Sequence, residues 1–143
     1  MKDFTIQFEG YWRDCNKGGL PVYEGVYCVY RSRYNPASNS VSLIEIIYIG
    51  QAENIHGRHL NHEKYSQFQS LLQSGEELCF TCAPVTEDVD WVENALIYLQ
   101  KPALNEQGKN DYSYSEAHFS IGGANACFRC TDFNMRFYLE KLN

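Results

Sequence analysis

No stretch of this sequence approaches the roughly 20 apolar residues that a membrane-crossing helix needs. The longest near-apolar run, Val41 to Gly50, is interrupted by Ser42 and Glu45, and the amino-terminal MKDFTIQFEG has no apolar signal region. A soluble, cytoplasmic chain with no membrane partner is the expectation. Basic residues are scarce as well. Twelve Lys and Arg face eighteen Asp and Glu, a net charge of -6, which opposes non-specific attraction to a polyanion because such binding needs cations that release counterions. Any nucleic-acid contact must therefore rest on a local patch. Internal repeats and low-complexity tracts are also lacking, and 143 residues leave no room for a second full-size domain, so one domain over 1–143 is expected. What is present is enough apolar material for one core, 44% hydrophobic and 15% aromatic residues.

The six cysteines include two C-x-x-C pairs, Cys79 with Cys82 and Cys127 with Cys130. Disulfide, zinc and redox readings all arise from that spacing. The missing secretion signal argues against disulfides, and four thiolates could hold a tetrahedral zinc. Cys79 and Cys82, however, sit inside the strand-like run LCFTCAPV, and neither pair has the flanking glycine that lets amides fold around sulfur. Buried or half-buried free thiols are the expected state.

Phe4 to Phe8 alternates and reads as a strand. Asn16 to Pro21 is a loop, and Gly25–Tyr30 and Val41–Ile49 form a β-hairpin with Arg31 to Ser40 as a long polar loop. Asn54 to Gln73 suits one helix, with Asn54 as N-cap, an apolar set of Leu60, Tyr65, Phe68, Leu71 and Leu72, and Ser74-Gly75 as its stop. Glu77–Val85 is a strand, and Thr86 then caps a helix running to Gln100 before Pro102. In the tail, Ala117–Ile121 and Ala126–Phe133 suit strands, and Asp132–Lys141 a short helix. This order describes an α/β domain: a small central antiparallel or mixed β-sheet flanked by helices, with a C-terminal extension.

Glu93 is the most informative position. With Val89 at zero, Val92 falls at about 300°, Leu96 at 340°, Glu93 at 40° and Ile97 at 80° around the helix, so the carboxylate lies within the apolar stripe. A charge there costs several kcal/mol unless it is paired or binds a metal. Both a structural partner, an Arg or a helix N-terminus, and a functional role satisfy that demand. Arg58 and His62, one helical turn apart at the edge of the preceding apolar arc, project together from a rim. Arg forks onto phosphate and His titrates near neutrality, although a solvated edge pair satisfies the same spacing. His56, His59 and His118 read as surface or core residues.

These pieces together resemble the GIY-YIG nuclease superfamily. Its ordered motifs are matched by Gly25-Val26-Tyr27, by Tyr48-Ile49-Gly50, by Ala52-x-Asn54-Ile55-x-x-Arg58, by Glu93, and by Pro102-Ala-Leu-Asn105. Arg58 stands eight residues after Gly50, and Asn105 twelve after Glu93. The motif-bearing core is about 22–106 and the extension about 107–143. The resemblance implies a divalent-metal-dependent endonuclease acting on DNA, with Mg²⁺ or Mn²⁺ held by Glu93. It implies that Tyr27 is general base or positions the attacking water, that Tyr48 lies beside it, and that Arg58 contacts the scissile phosphate. His62 stands where members place a group able to accept the tyrosine's proton, and Asn105 where an asparagine supports the site.

Departures are visible too. Excision-repair members carry lysine after the second motif, and Gln51 here leaves a neutral amide as the nucleic-acid contact. The long inter-motif segment would form an arm carrying Arg31 and Arg33 to DNA. From Glu76 to Glu93 inclusive there are six acids and no Lys or Arg, a surface unsuited to phosphate. Alternatives are therefore a GIY-YIG-fold binding or scaffold module without useful turnover, and a zinc-stabilised interaction domain. One active site cuts one strand, so double-strand cleavage would call for a homodimer or a second encounter.

Overall fold

The computed structural model describes residues 1–136. Six strands form one mixed sheet: β1 (Lys2–Arg13), β2 (Gly25–Asn35), β3 (Ser40–Ala52), β4 (Glu77–Pro84), β5 (Ala117–Gly123) and β6 (Asp132–Met135), in spatial order β3-β2-β4-β1-β5-β6. β2 runs antiparallel to both β3 and β4, and β5 to β6. β1 has two kinds of neighbour. Its first half, Lys2–Phe8, pairs parallel with Ala117–Gly123, and its second half antiparallel with β4 after a register shift between Glu9 and Trp12. α/β architecture with a mixed sheet agrees with the sequence; the extension, however, is part of the sheet and not an appendage.

Two apolar layers sandwich the central strands. Successive β2 side chains alternate between them. Val26, Cys28 and Tyr30 join Phe4, Ile6 and Phe8 of β1 under helix α3 (Val89–Gln100), which contributes Val92, Ala95 and Leu96. Tyr27 and Val29 face the other way, with Phe80 and Cys82 of β4, under Ile55 of α1 (Ile55–Leu60) and Phe68 of α2 (Tyr65–Ser70). Cys79 and Cys82 thus point to opposite faces of β4, Cys79 in one layer and Cys82 in the other. Such a pair cannot chelate one ion, and the tetrathiolate zinc arrangement does not fit the fold.

Several local expectations are corrected. The hairpin has long strands and only a short turn over 36–39, because Arg31 to Asn35 pair with Ser40 to Glu45 instead of looping out. The single helix over Asn54–Gln73 is two short ones, and Leu60 is 61% exposed instead of packed. Asn54 does cap α1, its side chain accepting from Gly57 N–H at 3.0 Å. Thr86 is not the cap of α3. Asp88 holds that position with φ 56° and no side-chain cap bond, its carboxylate being bound by Lys2. Residues 126–131 are not strand, because Ala126 is held by the hydroxyls of Tyr30 (2.7 Å) and Tyr11 (3.0 Å). Asp132–Met135 pairs with β5 where a helix was expected, and the rest of that segment, 137–143, lies outside the described residues. No helix among the described residues is long and apolar enough to cross a membrane.

Candidate active site

Hairpin register sets the site. Tyr27 lies opposite Gly50, and the glycine lets the Tyr27 ring pass across β3. A Cβ on Gly50 would fall 2.5 Å from Tyr27 Cζ and closer still to its hydroxyl. α1 is docked beside the ring by backbone bonds from Ile55 and His56 N–H to the carbonyls of Tyr23 and Pro21. After Leu60 the backbone leaves the helix at Asn61 (φ -151°, ψ 63°) and returns His62 toward β2. There His62 Nε2 lies 2.8 Å from Tyr27 Oη, and Lys64 N–H donates to His62 Nδ1 at 3.1 Å. Tyr48 completes the cluster, with ring centroids 6.2 Å from Tyr27 and 5.8 Å from His62.

Arg58 approaches the same hydroxyl. Its positive charge lowers the Tyr27 pKa, but burial outweighs it and pushes that phenol well above its ordinary value. Burial also raises Tyr48. His62 is pushed down to about 4 by burial and then by Arg58. The Arg58 guanidinium is gripped from both prongs by Glu63, at 2.6 and 2.8 Å. That bond brings Glu63 down to about 2. The Glu63 side chain is 68% exposed against 27% for Arg58, so the carboxylate covers the arginine from the solvent side.

Glu93 projects from α3 beside the C-terminal end of β3. Its Oε1 accepts from Gln51 Nε2 at 3.1 Å, and the same amide reaches Asp90 at 2.5 Å. Burial, with the negative charge of Asp90 as a smaller cause, raises the Glu93 pKa. A half-buried carboxylate with a second one nearby and only a neutral amide between them lacks countercharge. Glu93 and Tyr48 line a cleft of about 780 Å³ whose far wall is the 105–114 segment. Asn94 of α3 ties that wall down through Asp111 O (3.1 Å) and Ser113 N–H (3.2 Å). Asn105 acts as a substitute strand at the β3 edge, accepting from Ile49 N–H at 3.0 Å and donating to Ile49 O at 2.8 Å. Both bonds are buried, and they fix the backbone next to Tyr48.

The structure therefore brings Tyr27, Tyr48, Arg58 and His62 together, sets Glu93 on the adjoining cleft, and gives Asn105 a supporting role. Gln51 is occupied by Asp90 and Glu93, not by an open surface. Arg31 and Arg33 do not form a free arm. Arg31 is bound by Glu45 (2.8 Å) and Glu76 (2.7 Å), and Arg33 donates to Ser74 O at 3.0 Å, so carboxylates from neighbouring elements already balance the hairpin's cations. His59, read as an ordinary surface or core residue, is buried against Tyr27 with centroids 4.4 Å apart, and its Nε2 has no hydrogen-bond partner among the described residues. The spacing Ile55, His59, His62 is i, i+4, i+7, an apolar-stripe signal that could have flagged His59.

Among the described residues no group of three or more His, Cys, Asp or Glu converges as a metal cage. One under-compensated carboxylate opening on a cleft instead suits a hard, strongly hydrated cation such as Mg²⁺, which keeps its waters and uses one or two carboxylates plus substrate oxygens. Glu93 fits that role. Comparison with known proteins returns no matching family model, curated protein or solved structure.

Proposed function

We propose that the chain is a divalent-metal-dependent endonuclease of GIY-YIG type that hydrolyses phosphodiester bonds in DNA. The observation that carries this reading is the clustering of the Tyr27 and Tyr48 rings with Arg58 and His62 beside a half-buried carboxylate lacking countercharge. The β3-β2-β4 antiparallel core, with one motif on each hairpin strand, supports the family resemblance.

In this reading a Mg²⁺ or Mn²⁺ ion on Glu93 supplies Lewis-acid stabilisation to the phosphoryl oxygens. Arg58 offers a planar fork to the scissile phosphate, a geometry it already uses on the carboxylate of Glu63. Phosphate must exchange with that carboxylate. Tyr27 and Tyr48 present hydroxyls to the reacting group, and Asn105 holds β3 in place beside Tyr48. Arg31 and Arg33, already ion-paired or bonded, contribute weakly to DNA affinity.

Glu63→Gln keeps the side-chain size while releasing the guanidinium. Affinity for DNA should rise several-fold, since one competing anion is removed, whereas Arg58→Ala should weaken it; titration at two salt concentrations reads both. The reading itself is tested by incubating the protein with plasmid and branched DNA in Mg²⁺ or Mn²⁺. Nicking that disappears with chelator is the expected result. A binding or scaffold module without turnover, favoured by the capped Arg58 and by Gln51 on Glu93, predicts DNA retention and no nicking in either metal.

A further inference from the structure

A neutral imidazole has one N–H donor and one lone-pair acceptor. At His62 the two ring nitrogens have different neighbours. Nδ1 receives the Lys64 backbone N–H at 3.1 Å, and a backbone amide can only donate. Nδ1 therefore holds the lone pair and the ring proton is on Nε2, which lies 2.8 Å from Tyr27 Oη. The hydrogen bond runs from His62 to Tyr27.

We propose that His62 is a donor to Tyr27 and not its base, so that Tyr27 keeps its proton and offers its own O–H to a non-bridging oxygen of an anionic phosphate. The second half of this assignment rests on the nuclease reading. The first half rests on the ring's two bonds. Taking a proton from Tyr27 would require a lone pair on Nε2 and hence a proton on Nδ1, directly against the Lys64 N–H. His62 could do so only by losing that bond.

Its surroundings favour the same state. Burial, and then Arg58, hold the ring neutral down to about pH 4. Of the other titratable neighbours, Glu63 favours its protonation and Lys64 disfavours it. Tyr48 and His59 complete the shell, at 5.8 and 5.7 Å between centroids. On the tyrosine side, the hydroxyl meets His62 at 2.8 Å and has the Arg58 guanidinium, a group that can only donate, beside it. Having accepted from His62, the Tyr27 oxygen still carries a proton with no acceptor among the described residues. A buried phenol, pushed above its ordinary pKa, keeps that proton at neutral pH. His62 is then a positioning residue that orients and polarises the phenol, and Tyr27 is the group that touches substrate. This assignment runs opposite to the role that the resemblance implies for His62, acceptance of the Tyr27 proton.

The test begins with long-range ¹H–¹⁵N correlation spectroscopy on histidine-labelled, full-length protein, which identifies the tautomer without any activity. The Nε2–H form is expected for His62 throughout pH 5 to 8. An Nδ1–H form would overturn the proposal whatever the protein cleaves. His62→Gln supplies the second measurement, because its amide nitrogen can donate to Tyr27 but cannot take a proton. With folding checked by melting, plasmid nicking in Mg²⁺ should stay within about tenfold of wild type for His62→Gln and fall further for His62→Ala. A general base would lose on the order of a hundredfold or more in both variants, and equal loss in the two would overturn the donor role. Wild-type protein that nicks nothing would remove the nuclease reading, while the tautomer still decides the direction of the hydrogen bond.

Discussion

Glu93→Gln is expected to lower metal-dependent cleavage by at least about a hundredfold, the scale of several kcal/mol of lost charge stabilisation, while the protein melts at the same temperature or higher. The two halves of this outcome have one cause. Burial, and then Asp90, raise the folded-state pKa of Glu93. A raised carboxylate pKa means that its contribution to stability is present below the unfolded value and is lost as pH rises through the folded one. At neutral pH the charge is therefore a cost that the isosteric amide removes. If Glu93 were instead neutralised by a buried cation, the same substitution would strand that partner and cost about 3–5 kcal/mol. Its neighbours are the Gln51 amide and Asp90. Thermal melting with and without Mg²⁺, on wild type and variant, reads stability and metal binding together. A destabilised variant that cleaves at the wild-type rate would take Glu93 out of the site.

Acid should unfold this protein early, and His59 should be a main reason. Burial, with the nearby His62 and Arg58 charges as lesser causes, pushes His59 down to about 3 from 6.5. A histidine with a lowered folded pKa contributes stability that is complete above the unfolded pKa. That contribution is lost as pH falls through the window from about 6.5 toward 3. Linkage puts the loss at about 3 kcal/mol by pH 4, a large share of a small domain's stability. His62 acts in the same direction. His118 works oppositely: its hydrogen bond to Asp132, with Asp3 on the other nitrogen, raises its pKa, so its exposed contribution fades as pH rises. His59→Leu removes a buried Nε2 that lacks a partner and should flatten the acid limb. Denaturant titrations at pH 7, 5 and 4 on both proteins decide the matter. Equal losses in wild type and variant would mean that His59 is solvated in the fold and protonates there as freely as in the unfolded chain.

The site was more legible in the sequence than the sheet that carries it. Glu93 could be singled out because its signal is local, a carboxylate on the wrong arc of a helix, whereas Tyr27 and Tyr48 stood out only through the resemblance carried by Gly25-Val26-Tyr27 and Tyr48-Ile49-Gly50. The break at Asn61 was not legible. Apolar spacing and propensity favour one continuous helix there, and what interrupts it is tertiary, the His62 ring bonded to Tyr27 on one side and to the Lys64 amide on the other. The arm reading of Arg31 and Arg33 failed for a similar reason. Glu45 and Glu76, which bind Arg31, are supplied by β3 and the segment before β4, and strand pairing alone brings them near. The β1–β5 pairing leaves no local trace, because its partners stand more than a hundred residues apart.

That pairing also fixes an order of assembly during synthesis. β1 is made before β2 to β6, yet its early half has no hydrogen-bonding neighbour in this sheet until Ala117–Gly123 has been made. β2, β3 and β4 can form their antiparallel core in the meantime. At roughly 5–20 residues per second, Phe4, Ile6 and Phe8 wait on the order of ten seconds with an unpaired strand edge until β5, made after β2, β3 and β4, covers it.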